Sequence, residues 1–134
     1  MLVKTFGAAV FGIDASTITI EVNLAQGINF FLVGLPDSAV KESQQRIKAA
    51  FTNNDYRFPG REITINMAPA DVRKEGSIFD LPIAIAILAV SDQVPVERLK
   101  DYIILGELSL DGRLNPFKGV LPIALNARKD GFKG

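Results

Sequence analysis

A chain of 134 residues, 48% hydrophobic and 22% charged, is long enough to bury one core without disulfides or metal and too apolar to stay disordered. Its 15 basic and 15 acidic residues cancel, so any binding to nucleic acid or an anionic membrane must use a local patch rather than a global field. Cysteine and histidine are absent, which excludes a thiol nucleophile, an imidazole base, a zinc cluster and the usual transition-metal ligands; no metal site is expected.

Residues 3 to 13 predict a first strand, made irregular by Gly7 and Gly12. Ile18, Ile20, Val22 and Leu24 alternate with Thr17, Thr19, Glu21 and Asn23, the period of a strand with one buried face. Phe30-Phe31-Leu32-Val33 is continuously apolar, as a strand covered on both faces would be, and Gly34-Leu35-Pro36-Asp37 ends it. From residue 38 to 51, Val40, Ile47, Ala50 and Phe51 share one face of a helix capped by Asp37 or Ser38, and Glu42 stands four residues before Arg46, the spacing of a helix-surface ion pair. Ile63, Ile65 and Met67 repeat the strand pattern, and Pro69 ends it.

A second helix is predicted over residues 80 to 90, with Asp80 as cap and Pro82 in the first turn; its body is apolar on all sides, so it belongs in the core. Residues 102 to 110 predict a strand that turns back through the two-residue loop Asp111-Gly112, and a third helix begins near Gly119 or Val120 and runs to Arg128. The expected order is β-β-β-α-β-α-β-β-α, one domain over residues 1 to 134. A further strand is expected after the Gly131-Phe132 turn, so the sequence reads as ending short of it. The amino terminus lacks a signal peptide and no apolar run reaches membrane-spanning length, from which a cytoplasmic location and no membrane partner are expected.

Two segments resemble Lon proteases. Lys74-Glu75-Gly76-Ser77-Ile78-Phe79-Asp80-Leu81 is similar, without gaps, to the run that holds their nucleophilic serine. Residues 106 to 116, Gly-Glu-Leu-Ser-Leu-Asp-Gly-Arg-Leu-Asn-Pro, are similar to the hairpin leading into the helix with the catalytic lysine. Carried across, serine falls on Ile78 and lysine on Leu121, which can neither supply a hydroxyl nor accept its proton. The nearest polar groups are Ser77 and Lys118. A dyad shifted to them would require a strand residue and a helix residue to be re-aimed together, so a turn-forming Ser77 and a solvated Lys118 are the simpler reading.

Val33-Gly34-Leu35-Pro36-Asp37, Val40-Lys41-Glu42-Ser43, Ile65-Asn66-Met67-Ala68-Pro69-Ala70-Asp71, Lys74-Glu75-Gly76 and Phe79-Asp80-Leu81-Pro82-Ile83-Ala84 together resemble the amino-terminal, ChlI-type domain of ComM-type, magnesium-chelatase-like AAA+ ATPases. The resemblance implies an α+β fold, the Lon proteolytic-domain-like (ribosomal protein S-five domain-two-like) two-layer sandwich. It also implies an AAA+ module beyond residue 134 as partner, a hexamer when intact, ATP and magnesium as cofactors of that longer protein, and DNA processing in natural transformation. This chain contains no Gly-x-x-x-x-Gly-Lys-Ser/Thr phosphate loop, so no cofactor is expected within it.

The expected role is a noncatalytic accessory domain; the alternatives are a cryptic serine-lysine peptidase and a subunit of a metal chelatase. Gly34, Pro36 and Asp37, and Asn66, Pro69 and Asp71, read first as turns and caps and secondly as interaction loops. Lys41, Arg46, Lys48, Arg73 and Lys74, with Arg57 and Arg61 nearby, are candidate nucleic-acid contacts, although Glu42, Glu62, Asp71 and Glu75 interrupt them and favour a solvated mixed-charge surface.

Overall fold

Period-two segments can bury only one face, and the strands at residues 14–25 and 62–68 do so. The structure, a computed structural model, describes residues 1–134. It forms β1 from Leu2–Phe11, β2 from Asp14–Ala25, β3 from Phe30–Val33 and β4 from Glu62–Ala68. These make one sheet in the order β1-β2-β4-β3, antiparallel except for the parallel β3-β4 pair. The registers Ile20↔Met67, Val22↔Ile65 and Leu24↔Ile63 place apolar side chains directly opposite one another, all of them buried.

Helix α3, Asp80–Val90, lies across that face against β1 and β2, with α2, Ser43–Asn53, beside it. Nine of the eleven α3 residues are buried. Each covered Ile or Leu there contributes about 1.5–3 kcal/mol, which makes this all-round apolar helix the centre of the core. Thr5 on β1, itself buried, donates its hydroxyl to the Pro82 carbonyl at 3.0 Å and so joins the sheet to the first turn of α3. On the reverse face α4, Val120–Lys129, covers one end of the β1-β2 hairpin through Ile123 and Ala127, and Thr17 donates to Asp130 and accepts from Asn126. The chain thus has the α+β architecture expected of a Lon-like domain, with α4 as a partial layer behind the sheet. No helix is long and apolar enough to cross a membrane.

Several elements differ from the sequence expectation, each for a local reason. β3 is not covered on both faces: it is an edge strand bonded to β4 alone, with Phe30 and Leu32 on the core and Phe31 and Val33 left 46% and 47% exposed. The helix expected over residues 38 to 51 breaks at Glu42 into α1, Ser38–Lys41, and α2. Arg46 donates to the Ala39 carbonyl at 2.7 Å, taking an acceptor that a continuous helix would use internally.

Of the strand expected over residues 102 to 110, only Glu107–Leu108 remains, as β5, and Ile103 makes an isolated parallel bridge to Phe6. Between them Gly106 gives its N–H to the Ile78 carbonyl at 2.9 Å and accepts the Leu81 N–H at 3.0 Å, so this apolar run serves two partners in turn. β5 pairs with β6, Leu114–Asn115, but the Ser109 N–H bonds the Arg113 carbonyl, which makes the loop Leu110-Asp111-Gly112 rather than a two-residue turn.

Asp80, expected as the α3 cap, instead follows the cap residue Phe79, and its carboxylate is buried. Arg46 grips it through Nε at 2.6 Å and Nη2 at 2.9 Å, and the Leu108 amide donates a third bond at 3.0 Å. The expected Glu42–Arg46 pair gives way because a bidentate contact to a buried carboxylate outweighs an exposed helix pair worth about 0.3–0.5 kcal/mol. The hydrogen bond that Arg46 donates to Asp80 holds its guanidinium above its ordinary pKa, against the opposing effect of its own burial.

Arg46→Met should therefore cost about 3–5 kcal/mol in chemical denaturation, because Asp80 is left charged and buried without its partner. The double variant Arg46→Met/Asp80→Leu should recover much of that loss. Additive losses in the double-mutant cycle would show that the two side chains do not act as a pair.

Candidate functional site

Three of the sequence motifs meet at the carboxyl ends of the parallel strands β3 and β4. Gly34 leaves β3 at φ +108°, and a Cβ there would stand 2.1 Å from the Met67 carbonyl oxygen, so the approach of the two strand ends requires glycine. Asp37 caps α1 by accepting the Val40 N–H at 2.8 Å and uses its other oxygen to accept the Gly76 N–H at 3.0 Å. The backbones of the two loops are laced together, with Lys74 N–H on the Leu35 carbonyl at 3.0 Å and Asp37 N–H on the Lys74 carbonyl at 2.9 Å.

Lys74 itself turns inward. Its side chain is fully buried, and its ammonium donates to the Gly34 carbonyl at 2.7 Å and to the Pro69 carbonyl, clamping the end of β3 to the end of β4. Burial pulls its pKa below the ordinary 10.5, and the charge of Asp71 partly restores it. The sequence expectation of a phosphate-contacting Lys74 is thereby corrected: no phosphate reaches an ammonium enclosed by two carbonyls. The same holds for Arg46, whose guanidinium is occupied by Asp80 and Ala39.

The other candidates divide by exposure. Asn66 points to the reverse face of the sheet, where it donates to Glu21 across the strand pair at 2.9 Å. Pro36 bridges to Lys74 beneath the clamp, and Asp71 is exposed in the following turn. Arg73 is exposed and meets Glu75 at 3.3 Å, while Lys41 and Lys48 are exposed on α1 and α2.

Where a dyad would stand, Ile78 packs against the core and Leu121 is 70% exposed on α4. Val10, Asp37, Arg73, Glu75 and Lys118 surround Ile78 in a cleft between β1 and the loop ahead of α3. Ser77 does not line that cleft; its carbonyl accepts the Asp80 N–H at 3.1 Å in the turn into α3. The structure therefore brings Lys118 beside the Ile78 position but leaves Ser77 outside. Sequence reasoning missed the Asp80 carboxylate as the junction of α2, α3 and β5, because its partners lie 34 and 28 residues away and no periodicity links them.

The family model for subunit ChlI of Mg-chelatase matches residues 20–134. The chain belongs to that family. Among its relatives, the competence protein ComM of Haemophilus influenzae is 46% identical over 129 residues, covering 96% of this chain and 25% of ComM. YifB of Escherichia coli is 44% identical over 126 residues, covering 93% of this chain and 25% of YifB. The Lon protease of Trichlorobacter lovleyi is 30% identical over 134 residues, covering 95% of this chain and 15% of that protein, which agrees with a Lon-like fold. The chain spans about a quarter of the length of the curated relatives ComM and YifB. The ChlI-type match begins within β2 and takes in both the Lys74 clamp and the Asp80 junction.

Two outcomes test this geometry. Lys74→Met should lower stability by about 2–4 kcal/mol by stranding two carbonyl acceptors. Because the folded state binds the Lys74 proton less tightly than the unfolded chain, the stability of the wild type relative to that variant should rise as pH increases through the window just below 10.5. A difference that stays flat or falls would show that the ammonium is not enclosed. Separately, a serine-reactive fluorophosphonate should label the wild type and Ser77→Ala alike; labelling that disappears in Ser77→Ala would revive a shifted dyad.

Proposed function

We propose that this ChlI-type domain is a noncatalytic accessory module of an AAA+ ATPase that works on DNA. The reading rests on one observation: a Lon-like frame in which the dyad positions are filled by Ile78, packed on the core, and Leu121, exposed on α4. A serine-lysine mechanism needs a hydroxyl beside an amine kept neutral by burial. The buried amine of this chain is Lys74, and it is committed to two backbone carbonyls. The name of ComM, a competence protein, supports DNA as the substrate of the longer protein.

In this reading ATP and magnesium are bound by residues outside the 134, since no phosphate loop occurs among them. The domain contributes a rigid surface to the motor, assembled as a homo-oligomer, and guides or regulates its substrate. A second reading, a subunit of a metal-inserting chelatase, draws on the family's own description.

ATP hydrolysis by the intact protein, measured with and without single-stranded, duplex and branched DNA, separates the two. DNA-stimulated hydrolysis is the expected result. Hydrolysis indifferent to DNA but raised by a metal-insertion substrate would transfer the protein to the chelatase reading.

A further inference from the structure

Lys48, Arg57 and Arg61 converge on one loop, and none of them forms an ion pair. The loop joins α2 to β4 around Phe58-Pro59-Gly60, and a shallow cleft lies on each side of it, with Arg61 lining both. Arg57 stands on the first cleft, whose single acid is Asp92; Lys48 stands on the second, which has none. Glu62, the neighbour of Arg61 in sequence, packs instead against Gly27. Lys4, Arg73, Arg113 and Lys133 each meet a carboxylate within 3.9 Å; Lys48, Arg57 and Arg61 do not, and they differ from the other unpaired surface cations in lining two adjoining clefts.

The loop is also held in place. Gln93 accepts the Arg57 N–H at 2.9 Å and donates to the Arg57 carbonyl at 2.8 Å. Phe58 packs on Phe30 and Phe51, with ring centroids 6.3 and 6.0 Å apart, and the Lys48 ammonium lies 5.0 Å over its ring. The Gly60 and Arg61 amides donate to no backbone acceptor. Unpaired cations on a fixed ridge, with free amides between them, suit a ligand whose anionic groups repeat. A lone phosphate would engage one cleft; a strand crossing the ridge would engage both.

We infer that this loop binds the phosphodiester backbone of a nucleic-acid strand, through phosphates held by Lys48, Arg57 and Arg61. The inference rests on the proposed DNA-directed function and assigns its contact surface in this domain, replacing the inward-turned Arg46 and Lys74. It specifies no base, because a cation on a phosphate carries no sequence information.

Fluorescence anisotropy with labelled single-stranded and duplex DNA, at two salt concentrations, tests it on the 134-residue chain. The wild type should bind and weaken as salt rises. Lys48→Gln/Arg57→Gln/Arg61→Gln should bind at least about tenfold more weakly, and for the single strand the slope of log affinity against log salt should shrink by about 2. Lys100→Gln/Arg128→Gln, which removes two exposed cations elsewhere, should change affinity less than about twofold. All variants should keep the wild-type denaturation midpoint; if the triple variant does not, Arg61→Gln alone should still weaken binding and reduce the slope.

No binding by the wild type, an unchanged slope, or equal weakening by the control pair would overturn the assignment. Such a result together with DNA-stimulated ATP hydrolysis by the intact protein would remove the contact surface while leaving the accessory-domain reading in place.

Discussion

A carboxylate removed from water needs hydrogen bonds on both oxygens, and in this domain that requirement fixes how three separate elements meet. Asp80 at the start of α3 is satisfied by Arg46 from α2 and by the Leu108 amide from β5. Each partner has further ties: Arg46 closes the break between α1 and α2 at Ala39, and the segment leading into β5 is bonded to the turn into α3 through Gly106. Apolar burial supplies most of the driving force for collapse, but it is indifferent to small slides of α3 on the sheet. The geometry at Asp80 is not indifferent, since a slide leaves an unpaired charge inside.

The Lys74 clamp answers the same requirement with the opposite sign. Parallel strands ending side by side leave carbonyls that no further ladder satisfies, and the Lys74 ammonium takes those of Gly34 and Pro69. Asp37 works beside it, capping α1 and accepting the Gly76 amide. Polar and glycine-rich runs that look from sequence like binding loops are here the places where backbone polar groups must be satisfied within the fold. A chain can retain such runs whether or not it retains catalysis, so their presence supports a shared frame rather than a shared reaction. In the proposed function this frame is the contribution, and the cleft around Ile78 lies where the resemblance to Lon proteases places their serine.

Legibility followed the range of the interaction. β2, β4 and α3 are readable because alternation and all-round apolarity are local consequences of burial, and the start of α4 is readable from Gly119. β3 is not legible as an edge strand because four apolar residues have no periodicity to show that only Phe30 and Leu32 face the core. The break at Glu42 was invisible because its cause, Arg46 reaching back to Ala39, depends on where Asp80 holds the guanidinium. Residue type cannot separate the enclosed Lys74 from the exposed Lys48, since that difference lies in the surroundings and not in the side chain.

The amino-acid sequence by itself determined the α+β class, the apolar faces, and the lack of cysteine, histidine and a phosphate loop. Each of these is a property of residue identity or of short-range spacing. Only the tertiary structure decided which charges are structural and which are free, that β3 is an edge, and that Lys48, Arg57 and Arg61 share one ridge. Those facts depend on contacts between residues far apart in the chain, and a buried charge chooses its partner by the geometry of the folded interior, which no local pattern encodes.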